Sequence, residues 1–381
     1  MTDFAPETID AAALRIAESE RRGESVAIIG GGTDIDSGNP PDRADLVIRT
    51  TKLDRVVEHA PSDQIIAVEA GATLARVQDV VRAHGQRLAL DPPQPDRATI
   101  GGIVAANAFG PLRTRFGSVR DLIIGVSIIR SDGVVAHVGG KVVKNVAGFD
   151  LPKLMVGSLG TLGMIATVTF RLHPLPENSD TLLLTNRNAV ALRKLIADMR
   201  QAQLEPAAVA AIAHGTGFDV AVRFEGFRAG VVAQRDRLSR LSKCEVLDSA
   251  GAKQFMSRHD AIRTAGPIRI KIGALPSEIE RVGSTIDEIV RGMSGGGFVW
   301  YPMPGLGFVT GTAVDERRVA TAIESARKFF AGVHGSLTIA GAPPGIDAWG
   351  EPAGSHPLMQ AMKEKFDPGR RFARGRFVGG I

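Results

Sequence analysis

Among 381 residues there is one cysteine, one tyrosine and two tryptophans, and aromatic residues together reach only 5%. The lone Cys244 excludes internal disulfides and any cysteine-built zinc or iron–sulfur site, and it suits a reducing compartment. So few aromatics leave little to stack the bases of a single-stranded nucleic acid. No apolar run approaches the roughly 18 residues of a membrane span. The opening MTDFAPETID has no basic stretch leading into an apolar one. These absences predict a soluble, cytoplasmic protein with no nucleic-acid partner and only indirect membrane contact. Neither charge dominates: 46 Lys and Arg are interleaved with 41 Asp and Glu, giving +5 overall and a mixed solvated surface.

Glycine, by contrast, is abundant. Its 44 residues plus 21 prolines still fall below the roughly 25–30% of a low-complexity chain, and 44% hydrophobic content can build a core. At roughly 100–200 residues per domain, the length implies two or three domains. Residues 7–22 carry apolar side chains at helical spacing, and Val26–Gly30 is an apolar run ending in three glycines, so helix, strand and tight loop follow in order. Leu46–Arg49 and Ile65–Val68 read as strands, and Leu74–Ala83 as an amphipathic helix closed by Gly85. Pro92, Pro93 and Pro95 impose an extended connection. Leu122–Arg130, a turn at Asp132–Gly133 and Met164–Arg171 complete an α+β unit near Pro176.

From Asp180 onward, strands at Leu182–Thr185, Asp219–Phe224, Ile268–Ile272, Phe298–Tyr301 and Phe308–Gly311 alternate with helices. Those helices are Ala189–Met199, Ala229–Leu241, Ser277–Gly292 and Asp315–Ala331, which predicts an antiparallel sheet backed by helices. Ser355–Phe366 is a final helix before the Arg/Gly-rich DPGRRFARGRFVGGI. The expected segments are residues 1–176, 177–340 and 341–381.

Much of the glycine lies in clusters. Gly30-Gly31-Gly32-Thr33-Asp34 directly follows a strand, where three residues without Cβ let backbone N–H groups approach an anion and Thr33 adds a hydroxyl donor. A pyrophosphate suits such a nest, and so does a plain tight turn. Neither common nucleotide fingerprint is present: Ile35 stands at the last glycine of G-x-G-x-x-G, and Gly140-Lys141 is followed by Val142. Thr99-Ile100-Gly101-Gly102 opens a second small-residue stretch running to Asn107, either a phosphate-facing helix start or a helix packed closely on a sheet. Arg115-Phe116-Gly117-Ser118, the run Gly139–Leu151, and Gly157-Ser158-Leu159-Gly160-Thr161-Leu162-Gly163 follow.

In this order the segments resemble the FAD-binding domain of the vanillyl-alcohol oxidase and para-cresol methylhydroxylase superfamily, over residues 7–176 and again at the C-terminus. Within it they resemble the FAD-binding E subunits of glycolate oxidases, through ATIGGIVAANAFGP, GGKVVKNVAGFDLPKLMVGSLGTLG and KEKFDPGRRFARGR. The resemblance implies that Gly30, Gly31, Gly32 and Thr33 hold the FAD pyrophosphate, with Thr99, Gly101 and Gly102 on its other side. It places Asn107, Arg115 and Gly117 near the ribityl chain and ring, and Gly163 and Ile165 by the adenosine half. Arg374, Gly375 and Arg376 would close over the flavin from the tail, where a fixed cation stabilises the anionic reduced ring. It further implies a small 2-hydroxy acid such as glycolate as substrate, and partners in a paralogous FAD subunit and an iron–sulfur subunit. The complex would be cytoplasmic or peripheral to the inner membrane through those partners. The alternatives are a self-sufficient FAD-linked oxidase or dehydrogenase, the flavin subunit of a xanthine-dehydrogenase-like complex, which shares the GGTD motif, and a non-catalytic scaffold.

The chain also departs from its relatives. Where metal-using hydroxy-acid dehydrogenases carry G-H-x-G-D-G-N-x-H, residues 332–338 keep only His334, and none of the eight histidines forms a metal-spaced pair, so no metal is expected. Leu159 stands where catalytic relatives have glutamate, Ala373 where asparagine is common, and Asp34 beside the nest would repel phosphate unless it points away. Because no histidine or cysteine precedes His59 and Cys244 has no attachment motif, FAD is expected to bind non-covalently. Arg269 and Lys271, two apart on a strand, either grip a substrate carboxylate or face solvent. Trp300-Tyr301 either lines a pocket over the flavin or packs at a strand end. His334 is either a base or an ordinary loop residue.

Overall fold

The computed structural model describes residues 1–140 and 150–381, so most of the Gly139–Leu151 cluster lies outside the described residues. The chain divides into two compact units, one of residues 1–110, 117–175 and 351–381, the other of residues 111–116 and 176–350. Both are α+β.

The first unit begins with β1 (Thr2–Phe4), α1 (Ile9–Arg21), β2 (Val26–Ile29) and β3 (Leu46–Arg49). Thr8 caps α1 by accepting the Ala11 amide at 3.1 Å. β1 and β2 pair in parallel on either side of β3. Then come β4 (Val56–Ala60), β5 (Ile65–Glu69), α2 (Leu74–Arg82), β6 (Gln86–Arg87) and α3 (Ile100–Ala106). After α4 (Arg113–Phe116), which groups with the other unit, follow α5 (Val119–Leu122), β7 (Ile123–Ile129), β8 (Val135–Gly139), α6 (Leu151–Met155), β9 (Met164–Arg171) and β10 (His173–Pro174). A five-stranded antiparallel sheet runs β4-β5-β9-β7-β8. Ala12, Ile16, Val26, Leu46, Ile48, Ile129 and Met164 fill the core joining α1 and the parallel sheet to β7 and β9.

The second unit holds β11 (Asn178–Arg187), α7 (Ala189–Gln201), β12 (Ala208–His214), β13 (Gly217–Gly226), α8 (Arg228–Leu241), β14 (Glu245–Leu247) and α9 (Ser249–Arg263). It continues with β15 (Ile268–Gly273), α10 (Ile279–Val290), β16 (Met293–Tyr301), β17 (Leu306–Ala313), α11 (Glu316–Gly332) and β18 (Ser336–Ala340). Eight antiparallel strands run β14-β11-β13-β12-β16-β17-β15-β18. Alternation decides the faces: Ile268, Ile270 and Ile272 enter the core with Trp300 and Val309, while Arg269 and Lys271 take the opposite face, half-buried. Residues 341–350 belong to this unit, where the Ile339 amide donates to the Ala348 carbonyl at 2.9 Å and Arg327 donates to the Asp347 carbonyl.

The last segment, α12 (His356–Phe366) and residues 367–381, returns to the first unit. Phe372 is fully buried in its core. It bridges Val26 in parallel: the Val26 amide donates to Arg371 O at 2.8 Å and the Ala373 amide to Val26 O at 2.9 Å.

Candidate functional site

A cleft in the first unit, about 680 Å³ counting its open mouth, is lined mainly from four places in the sequence, with Thr50 and Ala70 besides. The end of β2 and its loop supply Ile28 to Ile35, and α3 supplies Gly101, Gly102, Ala105 and Ala106 behind Thr99. The loop before β9 supplies Leu159, Gly160 and Gly163, the start of β9 supplies Ile165, and the tail supplies Arg376. Ten residues singled out in the sequence, Gly30, Gly31, Gly32, Thr33, Thr99, Gly101, Gly102, Gly163, Ile165 and Arg376, therefore meet at one cavity.

The glycines there do different things. A Cβ on Gly30 would sit 2.2 Å from Thr99 Oγ1, and one on Gly31 1.7 Å from the Arg97 carbonyl oxygen, so both permit close backbone packing. Gly32 (φ 72°) and Gly160 (φ 78°) would place a Cβ in open space, and both need the left-handed region. Ile100 and Gly101 amides are taken by the carbonyls of Ala72 (2.8 Å) and Ala70 (2.7 Å), leaving the Gly102 amide as the orphan of the first turn among the described residues. Asn107 Oδ1 and Ser158 Oγ, next to the lining residues Ala106 and Leu159, are buried without a hydrogen-bond partner among the described residues. The Gly31 amide donates to Thr99 Oγ1 at 3.3 Å, tying the two glycine segments together, and the apolar Ile28, Ala105, Leu159 and Ile165 among the lining residues suit a ring system.

Other residues from the sequence lie elsewhere. Asn107 is the left-handed C-cap of α3 (φ 49°). Arg115 groups with the second unit and donates to the Glu225 carbonyl at 3.0 Å. Gly117 (φ 78°) makes a turn beside Asp121. Arg374 is exposed and, like Gly375, does not line the cleft. Arg376 is buried, and its guanidinium is engaged by main-chain carbonyls: Ser37 at 3.0 Å, Ile35 at 2.6 Å and Asp34 at 3.3 Å. Burial pulls its pKa down, while Asp36 and Asp34 oppose that shift. A cation placed for the flavin edge is thus first a clamp on the loop that follows Gly32. Ala373 has φ 43°, a region that asparagine enters more readily than alanine, so the asparagine expected there from the resemblance would have a backbone reason.

In the second unit, Trp300 and Tyr301 are fully buried, so this pair is core. His334 sits on the exposed turn between α11 and β18 with φ 52°. His259, given no role by the sequence, is fully buried; its Nε2 meets Tyr301 Oη at 2.9 Å and its Nδ1 meets Asp260 Oδ1 at 2.8 Å. Arg263 donates to the same phenol oxygen at 3.0 Å and lies 3.8 Å over the Phe308 ring. Phe308 pairs across strands with Lys271 and with Val299, two residues before Tyr301. Tyr301, Phe308, Lys271 and Arg269 therefore share one face of the sheet. Among the described residues no group of three or more His, Cys, Asp or Glu could hold a metal, and no helix is long and apolar enough to cross a membrane.

Burial holds the His259 pKa below its ordinary value, against the pull of Asp260. The folded state thus binds fewer protons than the unfolded one, so stability is expected to fall as the pH drops through about 6.5 and to level off below the folded pKa. Urea titrations between neutral and mildly acidic pH should show this slope in the wild type and a shallower one in His259→Gln.

The family model of the FAD binding domain matches residues 3–139. FAD is the cofactor of this domain. The chain is similar to glycolate oxidase subunit GlcE of Escherichia coli (strain K12), 35% identical over 186 residues, which are 48% of this chain and 51% of that protein. It is also similar to glycolate oxidase subunit GlcD of Bacillus subtilis (strain 168), 32% identical over 181 residues, 47% of this chain and 38% of that one. D-lactate dehydrogenase of Archaeoglobus fulgidus is 35% identical over 147 residues, 38% of this chain and 32% of its own. The matches thus span about half the length of these relatives or less. An alkyldihydroxyacetonephosphate synthase structure superposes with a TM-score of 0.72 at 13% identity, over 97% of this chain and 76% of that one, and shares the fold.

Proposed function

We propose that the protein is the FAD-binding subunit of a glycolate-oxidase-type complex that oxidises glycolate or a related 2-hydroxy acid to the 2-oxo acid and passes electrons to an iron–sulfur partner subunit. The observation that carries this is the glycine-lined cleft of an FAD-binding domain in a chain similar to a glycolate oxidase subunit. FAD, when bound, supplies the two-electron acceptor. Gly30 to Thr33 and the Gly102 amide would hold its pyrophosphate, the Gly160–Ile165 stretch its adenosine half, and Arg376 would fix the loop between them. Among the described residues no histidine or cysteine lines the cleft, which favours non-covalent binding.

Arg269 and Lys271 would hold the substrate carboxylate in the second unit, two cations on one strand beside Tyr301 and Arg263. Losing one such charge-assisted contact, worth about 1.5–3 kcal/mol, should raise KM about ten- to a hundredfold in Arg269→Gln or Lys271→Gln with little change in flavin content. Steady-state kinetics of the reconstituted complex measures this. The assembly reading is tested by assaying the purified chain alone and with its paralogous flavoprotein and iron–sulfur partners. Glycolate turnover should be poor alone and restored by the partners. Strong turnover by the isolated chain would favour a self-sufficient oxidase or dehydrogenase instead.

A further inference from the structure

The C-terminal segment carries three buried cations whose donors go largely to main-chain carbonyls. Lys363 Nζ donates to Thr161 O at 2.7 Å, Asp367 Oδ2 at 2.8 Å and Phe372 O at 2.9 Å, which uses all three ammonium protons. Arg371 donates to Ser19 Oγ at 2.9 Å, Glu24 O at 3.1 Å and Ser131 O. Arg376 holds the carbonyls of Asp34, Ile35 and Ser37. A cation taken out of water is tolerated only where its donors are matched, so each of these contacts is a built feature of the unit.

Their destinations matter. Thr161 lies between Gly160 and Gly163 on one wall of the cleft, and residues 34–37 continue the Gly30–Gly32 loop on the other. The main chain of the same segment adds the Val26–Phe372 bridge, an Asn39 amide donating to Arg376 O at 3.0 Å, and an Asp42 amide donating to Arg374 O at 2.9 Å. One short stretch of chain therefore holds both cleft walls, and Lys363 is the one buried residue of α12.

We propose that residues 363–376 are a clasp that sets the spacing of the two cofactor loops, with Lys363 and Arg376 as its positioning residues, so that docking of the clasp and binding of FAD reinforce each other. The inference rests on the FAD reading of the cleft and adds a regulation to it: whatever releases the clasp releases the cofactor. Because FAD binds the clasped form, it stabilises that form by the same factor by which clasping raises FAD affinity.

The test uses the full-length chain, stripped of flavin and then saturated with FAD. Hydrogen exchange is followed at the Asn39, Asp42 and Ala373 amides, and FAD affinity is read from flavin fluorescence. Exchange at these amides should slow tenfold or more on FAD binding. Arg376→Gln should weaken FAD binding tenfold or more, and Arg376→Lys, which keeps the charge but not the fork across three carbonyls, should not restore it. Lys363→Met, whose side chain touches Thr161 rather than the cleft lining, should weaken FAD binding in the same direction; if that variant does not fold, the wild-type exchange and Arg376→Gln still decide the matter. Unchanged exchange in a wild type that binds FAD, or wild-type affinity in Arg376→Gln, would overturn the clasp and leave the FAD reading intact. A wild type that takes up no FAD would overturn both.

Discussion

Gly31→Val is expected to abolish retention of FAD. A Cβ at this position would lie 1.7 Å from the Arg97 carbonyl oxygen and 2.8 Å from its carbon, and both atoms are backbone that cannot rotate away. The loop must therefore move, and Gly31 with its neighbours Gly30, Gly32 and Thr33 lines the part of the cleft proposed above to hold the pyrophosphate. If a bound pyrophosphate takes two charge-assisted hydrogen bonds from that wall, at about 1.5–3 kcal/mol each, their loss corresponds to about a hundredfold weaker binding or more. Fluorescence titration of the apoprotein with FAD measures the loss. Gly283→Ala is the matched control: within α10, a Cβ there meets nothing, so FAD binding should be unchanged and stability should rise by about 0.5–1 kcal/mol.

Lys363→Met is expected to destabilise the protein by about 3–5 kcal/mol, the cost of breaking a buried ion pair from one side. Lys363 and Asp367 are both essentially inaccessible, at 1% and 0% side-chain exposure. Asp367 Oδ2 also accepts the Phe372 amide at 2.7 Å, so removing the ammonium leaves a carboxylate and two carbonyls with one donor among them. Burial already pulls the Lys363 pKa down, opposed chiefly by Asp367. The double variant Lys363→Met/Asp367→Asn should cost less than the sum of the singles, since the uncompensated charge is then gone. Urea denaturation of all four proteins supplies the cycle. Additive losses would mean that the two side chains do not act as a pair.

The cofactor half could be read from sequence because its determinants are local. A strand entering GGGT, and TIGG opening a helix, each put their backbone donors and missing Cβ atoms within a few residues, so the motif and the geometry coincide. The tail was harder. FARGR shows where cations lie, but that Arg376 grips the carbonyls of residues 34–37 depends on contacts more than 300 positions apart in the chain.

The second unit was less readable for the same reason. α9 buries only Phe255 and His259 out of fifteen residues, so no apolar stripe announces a helix. β12, AVAAIAH, is buried along most of its length and alanine-rich, which erases the alternation that marks a half-exposed strand. His259 becomes notable only through Tyr301, 42 residues later, and a lone histidine in SRHDAIR carries no sign of that meeting. Tyr301 itself could be core or pocket by sequence, and its burial is set by α9, the helix that the sequence pattern hid.

The flavin content of the purified chain tests the central claim most directly. After gentle purification and supplementation with FAD, followed by removal of free ligand, the protein should show a flavin absorbance spectrum. Denaturation should then release FAD into the supernatant in stoichiometric amount, as expected of non-covalent binding. A folded protein that stays colourless under the same treatment would contradict the account.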